Sequence, residues 1–242
     1  VYDDGTPVVY RLDRQTGTWA PLCTTNVAQL SFGVATVSSR LHFIGGGDPK
    51  MKTHQVLDSG GASASGRLVL SRQGNLWLTD TNGGNPIQLT SGGADSKPRL
   101  ANGVVTFARS GSLYKTDTAG VTPVLVPNSA NVLEYDLKPD GSKIVLTHSP
   151  SNFDLYTMNV DGSGKVRINA QSNMHQLYPG WGRDGFIYFG QSVFGDAYSQ
   201  KIHRIPEGGV DNPTRLVDYF TQVPLPGGPN GRVAFFYNQP AP

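Results

Sequence analysis

Five stretches of this chain repeat one pattern: an apolar strand, a glycine-marked turn, two further strands, another glycine turn and a fourth strand. The clearest copy is 131–169, NVLEYDLKPDGSKIVLTHSPSNFDLYTMNVDGSGKVRIN, with neighbours at 97–127 and 175–218. Short apolar alternations bounded by Gly, Asn, Asp and Pro read as strands joined by tight turns. A unit of about forty residues with four short strands buries its apolar faces only by stacking on copies of itself, and radial stacking of such units is a β-propeller. The expectation is an all-β chain forming one domain over 1–242, in which most residues build sheets and the loops and central channel carry the function.

Glycine ends the first hairpin turn of each unit at Gly66, Gly103, Gly141, Gly185 and Gly231, spaced by 37, 38, 44 and 46 residues. A second series, Gly17, Gly83, Gly120, Gly162 and Gly208, marks the later turn. Each series leaves one interval near two unit lengths, which predicts a further unit within 27–60. There FGVATVSSRLHFIGGG reads as two strands about a Ser-Ser-Arg turn stopped by three glycines, and this short stretch resembles a kelch repeat. The segment KTHQVLD that follows parallels NMHQLYP at 173–179, so both read as innermost strands, the first of them opening a unit at 54–90. The ends complement each other: 221–237 supplies two inner strands and 7–22 two outer ones. Joined in one unit they close the ring and remove exposed sheet edges. The reading is a six-bladed β-propeller closed by a composite blade from both termini, or five blades if the 27–60 unit is degenerate, with 1–242 a complete ring.

Composition removes several classes. Only 16% of residues are charged and the net charge is +2, with no basic run, so nucleic acid is not an expected partner. No apolar segment approaches the ~20 residues of a membrane-spanning helix. The start, VYDDGTPVVY, has neither an initiator Met nor an export signal, which suggests a processed or excised fragment. The single cysteine, Cys23, excludes an internal disulfide and reads as a small apolar residue at a strand end. Low cysteine use fits either cytoplasm or a Gram-negative periplasm.

Two stretches then carry a family resemblance. Lys138-Pro139-Asp140-Gly141-Ser142-Lys143-Ile144-Val145-Leu146 and Leu155-Tyr156-Thr157-Met158-Asn159-Val160-Asp161-Gly162 are similar to the SPxGxxIxF and YxMxxDG units of TolB-type propellers, and NLWLTDTNGGNPIQLT echoes them at 75–90. The resemblance spans roughly 54–237. It implies a propeller that binds rather than catalyses, in a periplasmic or secreted setting. Residues 1–242 show no counterpart of the N-terminal α/β domain of TolB, so a role identical to TolB's own, docking a peptidoglycan-associated lipoprotein, is not what the resemblance leads one to expect. Related propellers also gate prolyl oligopeptidase-type and tricorn-type peptidases.

The tight Asp-Gly and Gly-Gly turns leave little room for function on one face. Longer connections at Ser91–Lys97, Ser149–Phe153, Ala170–His175 and Gln191–Gln200 would emerge on the other, where a rigid scaffold displays binding residues. Candidates there are Phe194 and Tyr198 in SVFGDAYSQ, Arg72 and Arg109 at matching positions in LSRQGN and FARSGS, and His175, Tyr178 and Trp181. Arginines so placed suit an anion or carboxylate clamp. His54 and His175 open inner strands and His148 ends a second strand, so three imidazoles could converge on a metal, as in a metal-dependent polysaccharide lyase or hydrolase. No HxH or HExxH pair supports that, and the Asn159–Gly164 run lacks the Glu of a calcium loop and reads as a turn. Nucleophile motifs are missing as well. The chain is therefore read as a monomeric, non-catalytic binding module without cofactor or metal, presenting loops to a protein, peptide or glycan partner. The alternative is an enzyme, or the propeller part of a larger peptidase.

Overall fold

The computed structural model describes residues 66–80, 84–148, 153–169, 173–194, 196, 200–216 in full, and the backbone of strands at 8–12, 19–24, 33–37, 40–44, 54–58, 221–228 and 232–237. The described residues contain no helix. The chain divides into two compact units, Val1–Ala64 with Tyr237–Pro242, and Ser65–Phe236.

In the first unit, β1 (Val8–Leu12) pairs with β2 (Trp19–Thr24). A separate sheet runs β3 (Gly33–Val37), β4 (Arg40–Ile44), β5 (His54–Asp58). The hairpin expected across the Ser-Ser-Arg turn is present, with Val37 paired to Arg40. The place expected for 54–58 is not. β5 pairs with β4, from His54 against Ile44 to Asp58 against Arg40, and does not open the following sheet. Seven residues, 59–65, separate 54–58 from Gly66, more than the two to five of a tight hairpin, so sequence proximity does not force 54–58 onto the strand after Gly66.

The second unit stacks regular antiparallel sheets. Sheet I is β6 (Arg67–Arg72), β7 (Asn75–Asp80), β8 (Ile87–Gln88). Sheet II is β9 (Asp95–Ala101), β10 (Val104–Arg109), β11 (Ser112–Asp117), β12 (Val124–Leu125). Sheet III is β13 (Val132–Leu137), β14 (Lys143–His148), β15 (Asp154–Asn159), β16 (Val166–Asn169). Sheet IV is β17 (Met174–Trp181), β18 (Phe186–Val193), β19 (Lys201–Pro206), β20 (Thr214–Arg215). Strands β21 (Thr221–Gly228) and β22 (Arg232–Tyr237) form a further pair. The turn chemistry explains these registers. Asn102 and Gly103 sit at φ 46 and 80, the left-handed pair that a two-residue hairpin demands and that Asn-Gly supplies at little cost.

Each inter-sheet layer has its own apolar core. Leu76, Leu78, Leu89, Val105 and Phe107 fill the layer between sheets I and II. Leu113, Val126, Tyr135, Leu137, Ile144, Leu146 and Met158 fill the next. Val145, Leu155, Ile168, Trp181, Ile187, Phe189 and Ile205 fill the third. β14 shows why its sequence is an unbroken apolar run. Ile144 and Leu146 point into one layer and Val145 into the other, so both faces are buried. A fully buried Leu or Ile contributes about 1.5–3 kcal/mol relative to exposure.

The first strands of sheets II and IV are bulged alike. Lys97 and Pro98 together oppose Phe107, and Tyr178 and Pro179 together oppose Phe189. Both bulges put a non-glycine residue at positive φ, 50 at Lys97 and 53 at Tyr178. A proline inside a strand loses a ladder bond, and a bulge is where that loss is tolerated.

Candidate functional site

One backbone contact repeats at a single end of the stacked sheets. Asp95 N–H donates to the Gly74 carbonyl (2.8 Å), Val132 N–H to that of Gly111 (3.2 Å) and Gln176 N–H to that of Phe153 (2.9 Å). Each bond ties the first strand of a sheet to the connection that enters β7, β11 or β15 in the sheet before it. In sheets I and II that connection is a two-residue turn, Gln73-Gly74 or Ser110-Gly111. In sheet III it is longer and delivers the aromatic ring of Phe153.

Two side-chain groups therefore occupy comparable places. At the start of sheet II, the Asp95 carboxylate is buried, 2% exposed. Arg109 grips it with two bonds, Nε to Oδ1 at 2.6 Å and Nη2 to Oδ2 at 3.0 Å. The Thr90 hydroxyl donates a short bond to the same carboxylate and accepts from Leu76 N–H at 2.9 Å. The guanidinium lies over Phe107 (5.2 Å) and Tyr114 (4.9 Å), and the hydrogen bonds it donates to Asp95 hold its pKa above the usual arginine value. Arg109 is thus engaged within the fold. Arg72, at the matching sequence position, is exposed and lies 5.9 Å from the Trp77 ring centroid, with no ion pair among the described residues. Sequence similarity between the two arginines does not carry over into similar surroundings.

At the start of sheet IV, His175 lies between two phenyl rings. Its ring centroid is 4.4 Å from that of Phe153, tilted by 39°, and 4.9 Å from that of Phe194, nearly parallel at 19°. Phe194 is 63% exposed, the most open of the large apolar side chains described. Its backbone N–H donates to the Asn173 carbonyl at 2.8 Å, extending the β17–β18 ladder beyond the Met174–Val193 pair. Burial lowers the His175 pKa, and its Nδ1 atom is buried without a partner. Beneath it Thr147 Oγ1 donates to the Gln176 carbonyl at 3.0 Å, fixing β17 against sheet III.

The remaining sequence candidates fall elsewhere. Trp181 is 2% exposed and packs in the layer between sheets III and IV, so its bulk fills the core. Tyr178 is half-buried and sits in the β17 bulge. Tyr198 lies outside the described residues. His148 ends β14 and meets Tyr156 edge-on at 5.6 Å. Neither His148 nor His175 belongs to a group of three His, Cys, Asp or Glu among the described residues, and the His54 side chain lies outside them. The Asn159–Gly164 run is a turn, with Asp161 Oδ1 accepting from Ser163 N–H (2.9 Å) and hydroxyl (2.6 Å).

Neighbouring first strands are joined by ion pairs, Lys97 to Glu134 at 2.7 Å and Arg99 to Asp136 at 3.0 Å. Asp136 also accepts from Trp181 N–H at 2.8 Å, and its pKa is raised, chiefly by burial. Asp95, Thr90 and Phe153 were not singled out by sequence. Asp95 and Thr90 sit in a Gly/Ser-rich connection that reads as a plain loop. The one signal for Phe153 is an aromatic residue in the otherwise polar SPSNFD segment.

No protein-family model matches the chain, and no curated protein sequence matches it. Among solved structures, it is similar to one assigned as TolB from Agrobacterium tumefaciens, with TM-score 0.62 and 16% identity over 88% of this chain and 89% of that one. It is also similar to TolB from Acinetobacter baumannii, with TM-score 0.52 and 15% identity over 85% of this chain and 65% of that one. A nidogen/laminin complex gives TM-score 0.54 at 12% identity over 96% of this chain and 85% of that one. The fold is of β-propeller type. No helix among the described residues is long and apolar enough to cross a membrane.

Proposed function

We propose that this protein is a non-catalytic binding module that engages a protein partner with the sheet ends around Phe194. The observation that carries the reading is an exposed phenyl ring held on a stacked base of His175 and Phe153, at the end of two packed sheets. Aromatic anchors on a rigid support contribute most per residue at protein interfaces, since little side-chain freedom remains to be lost. The similarity to TolB and to a nidogen/laminin complex supports partner binding as the role of such a fold. Arg72 extends the proposed surface, Arg109 acts in it by holding β9 in place, and Tyr198 is proposed as a partner contact on its sequence alone.

The finer reading rests on the two glycine series: six blades, with the closing blade drawn from both termini and 1–242 acting as one domain. A periplasmic or secreted monomer fits the TolB resemblance. The test is cross-linked capture from an envelope fraction with the wild type and Phe194→Ala side by side. A defined protein retained by the wild type and lost by the variant, at unchanged Tm, is the expected result. Equal capture by both would remove Phe194 from the interface.

A further inference from the structure

We propose that His175 is a proton-sensitive latch: its neutral ring clamps Phe194, and with it the far end of β18, onto Phe153, and protonation releases that end. Its consequence for binding rests on the reading above. The test below needs no partner, so the two can fail separately.

A neutral imidazole needs one donor and one acceptor contact, whereas the imidazolium carries N–H on both nitrogens. His175 Nδ1 is enclosed without a hydrogen-bond partner. A proton there would be a charged donor cut off from water, the costliest kind of unmet hydrogen bond. The faces of Phe153 and Phe194 give a cation partial compensation, but they do not accept a hydrogen bond as water does. The protonated ring gains most by turning out toward solvent, which breaks the contacts at 4.4 and 4.9 Å together. Phe194 then loses the ring it lies on, and the Phe194 N–H to Asn173 rung at the end of the ladder is the first to open.

The surrounding elements carry other ionisable groups: His148 at the end of β14, Asp154 on β15 with Arg167 on β16 at 3.6 Å, Asp196 beyond β18 and Lys201 on β19. None of them sets the protonation of His175, whose pKa is lowered by burial alone. The latch therefore opens below the ordinary histidine value of 6.5.

The test is backbone amide exchange at Phe194, expressed as a protection factor so that the intrinsic pH dependence drops out, alongside an NMR titration of the His175 ring. Between about pH 7.5 and about pH 5.5 the wild-type factor should fall roughly tenfold, with a midpoint equal to that of the ring. His175→Phe keeps a stacked ring that cannot titrate, so its Phe194 protection should stay flat, while His148→Gln should keep the wild-type fall. No fall in the wild type, an equal fall in His175→Phe, or a midpoint apart from the ring titration would each overturn the latch. Should His175→Phe not fold, the coincidence of the two wild-type midpoints decides alone.

Discussion

The starts of sheets II and IV solve the same placement problem with opposite chemistry. In both, the first strand hangs its N–H on the preceding sheet, from Asp95 to Gly74 and from Gln176 to Phe153. Around Asp95 the polar groups are saturated: the carboxylate has Arg109 and Thr90, and Arg109 has two rings beneath it. Around His175 the contacts are ring on ring, a nitrogen lacks a partner and the outermost ring faces solvent. A saturated node holds sheets together and has nothing left to offer a partner. An unsaturated, apolar one retains contact area and sensitivity to its surroundings. The difference follows from connection length, since the two-residue Gln73-Gly74 turn of sheet I, on which Asp95 hangs, leaves no room for a residue like Phe153.

The comparison breaks most sharply at Asp95. Asp95→Ala strands Arg109 and the Thr90 hydroxyl, and should cost about 3–5 kcal/mol, as for one half of a buried ion pair. Urea unfolding at constant m-value measures it; a cost below about 1 kcal/mol would mean the node is ornamental. Arg109→Ala leaves the buried carboxylate bare and should sit near about 3 kcal/mol, the low end of that range, because the guanidinium is partly open. The His175 node is read by pH. Burial lowers the pKa of His148, His175 and His203, so below 6.5 the unfolded chain binds more protons than the folded one. Their contribution is complete above 6.5 and is lost as pH falls through that value, levelling off below the folded pKa. Unfolding free energies measured at steps from about pH 7 to about pH 5 should show a shallower slope in His175→Phe than in the wild type. Phe194→Ala should change stability by less than about 1 kcal/mol, given its exposure, while abolishing partner capture. Arg72→Ala comes last, within about 0.5 kcal/mol by denaturation, and a value matching Arg109→Ala would erase the contrast between the two arginines.

The repeat was readable because turn chemistry and apolar alternation are local. Asn102-Gly103, Lys138–Ser142 and Arg183–Gly185 all close hairpins where glycine spacing puts them. What escaped was set by partners far along the chain. Arg72 and Arg109 share a motif, yet only Arg109 meets a buried carboxylate fourteen residues away. Trp181 looks like a surface anchor in YPGWG until sheet III covers it. Lys97-Pro98 and Tyr178-Pro179 would ordinarily argue against a strand, and the bulges that admit them appear only with the opposing Phe107 and Phe189. The pairing of 54–58 with β4 was missed because its resemblance to 173–179 says what the segment looks like, not which neighbour reaches it first.

Among the described residues, the three apolar layers between sheets I and IV have no residue in common. Cohesion is then a nearest-neighbour property, as in solenoid arrays. A lesion in one layer loosens two sheets and spares the rest, and a gene that gains or loses one whole four-strand module meets the same kind of junction on either side of the splice. Such a chain can change length in steps of one module, each new seam an apolar layer whose end is finished by its own connection.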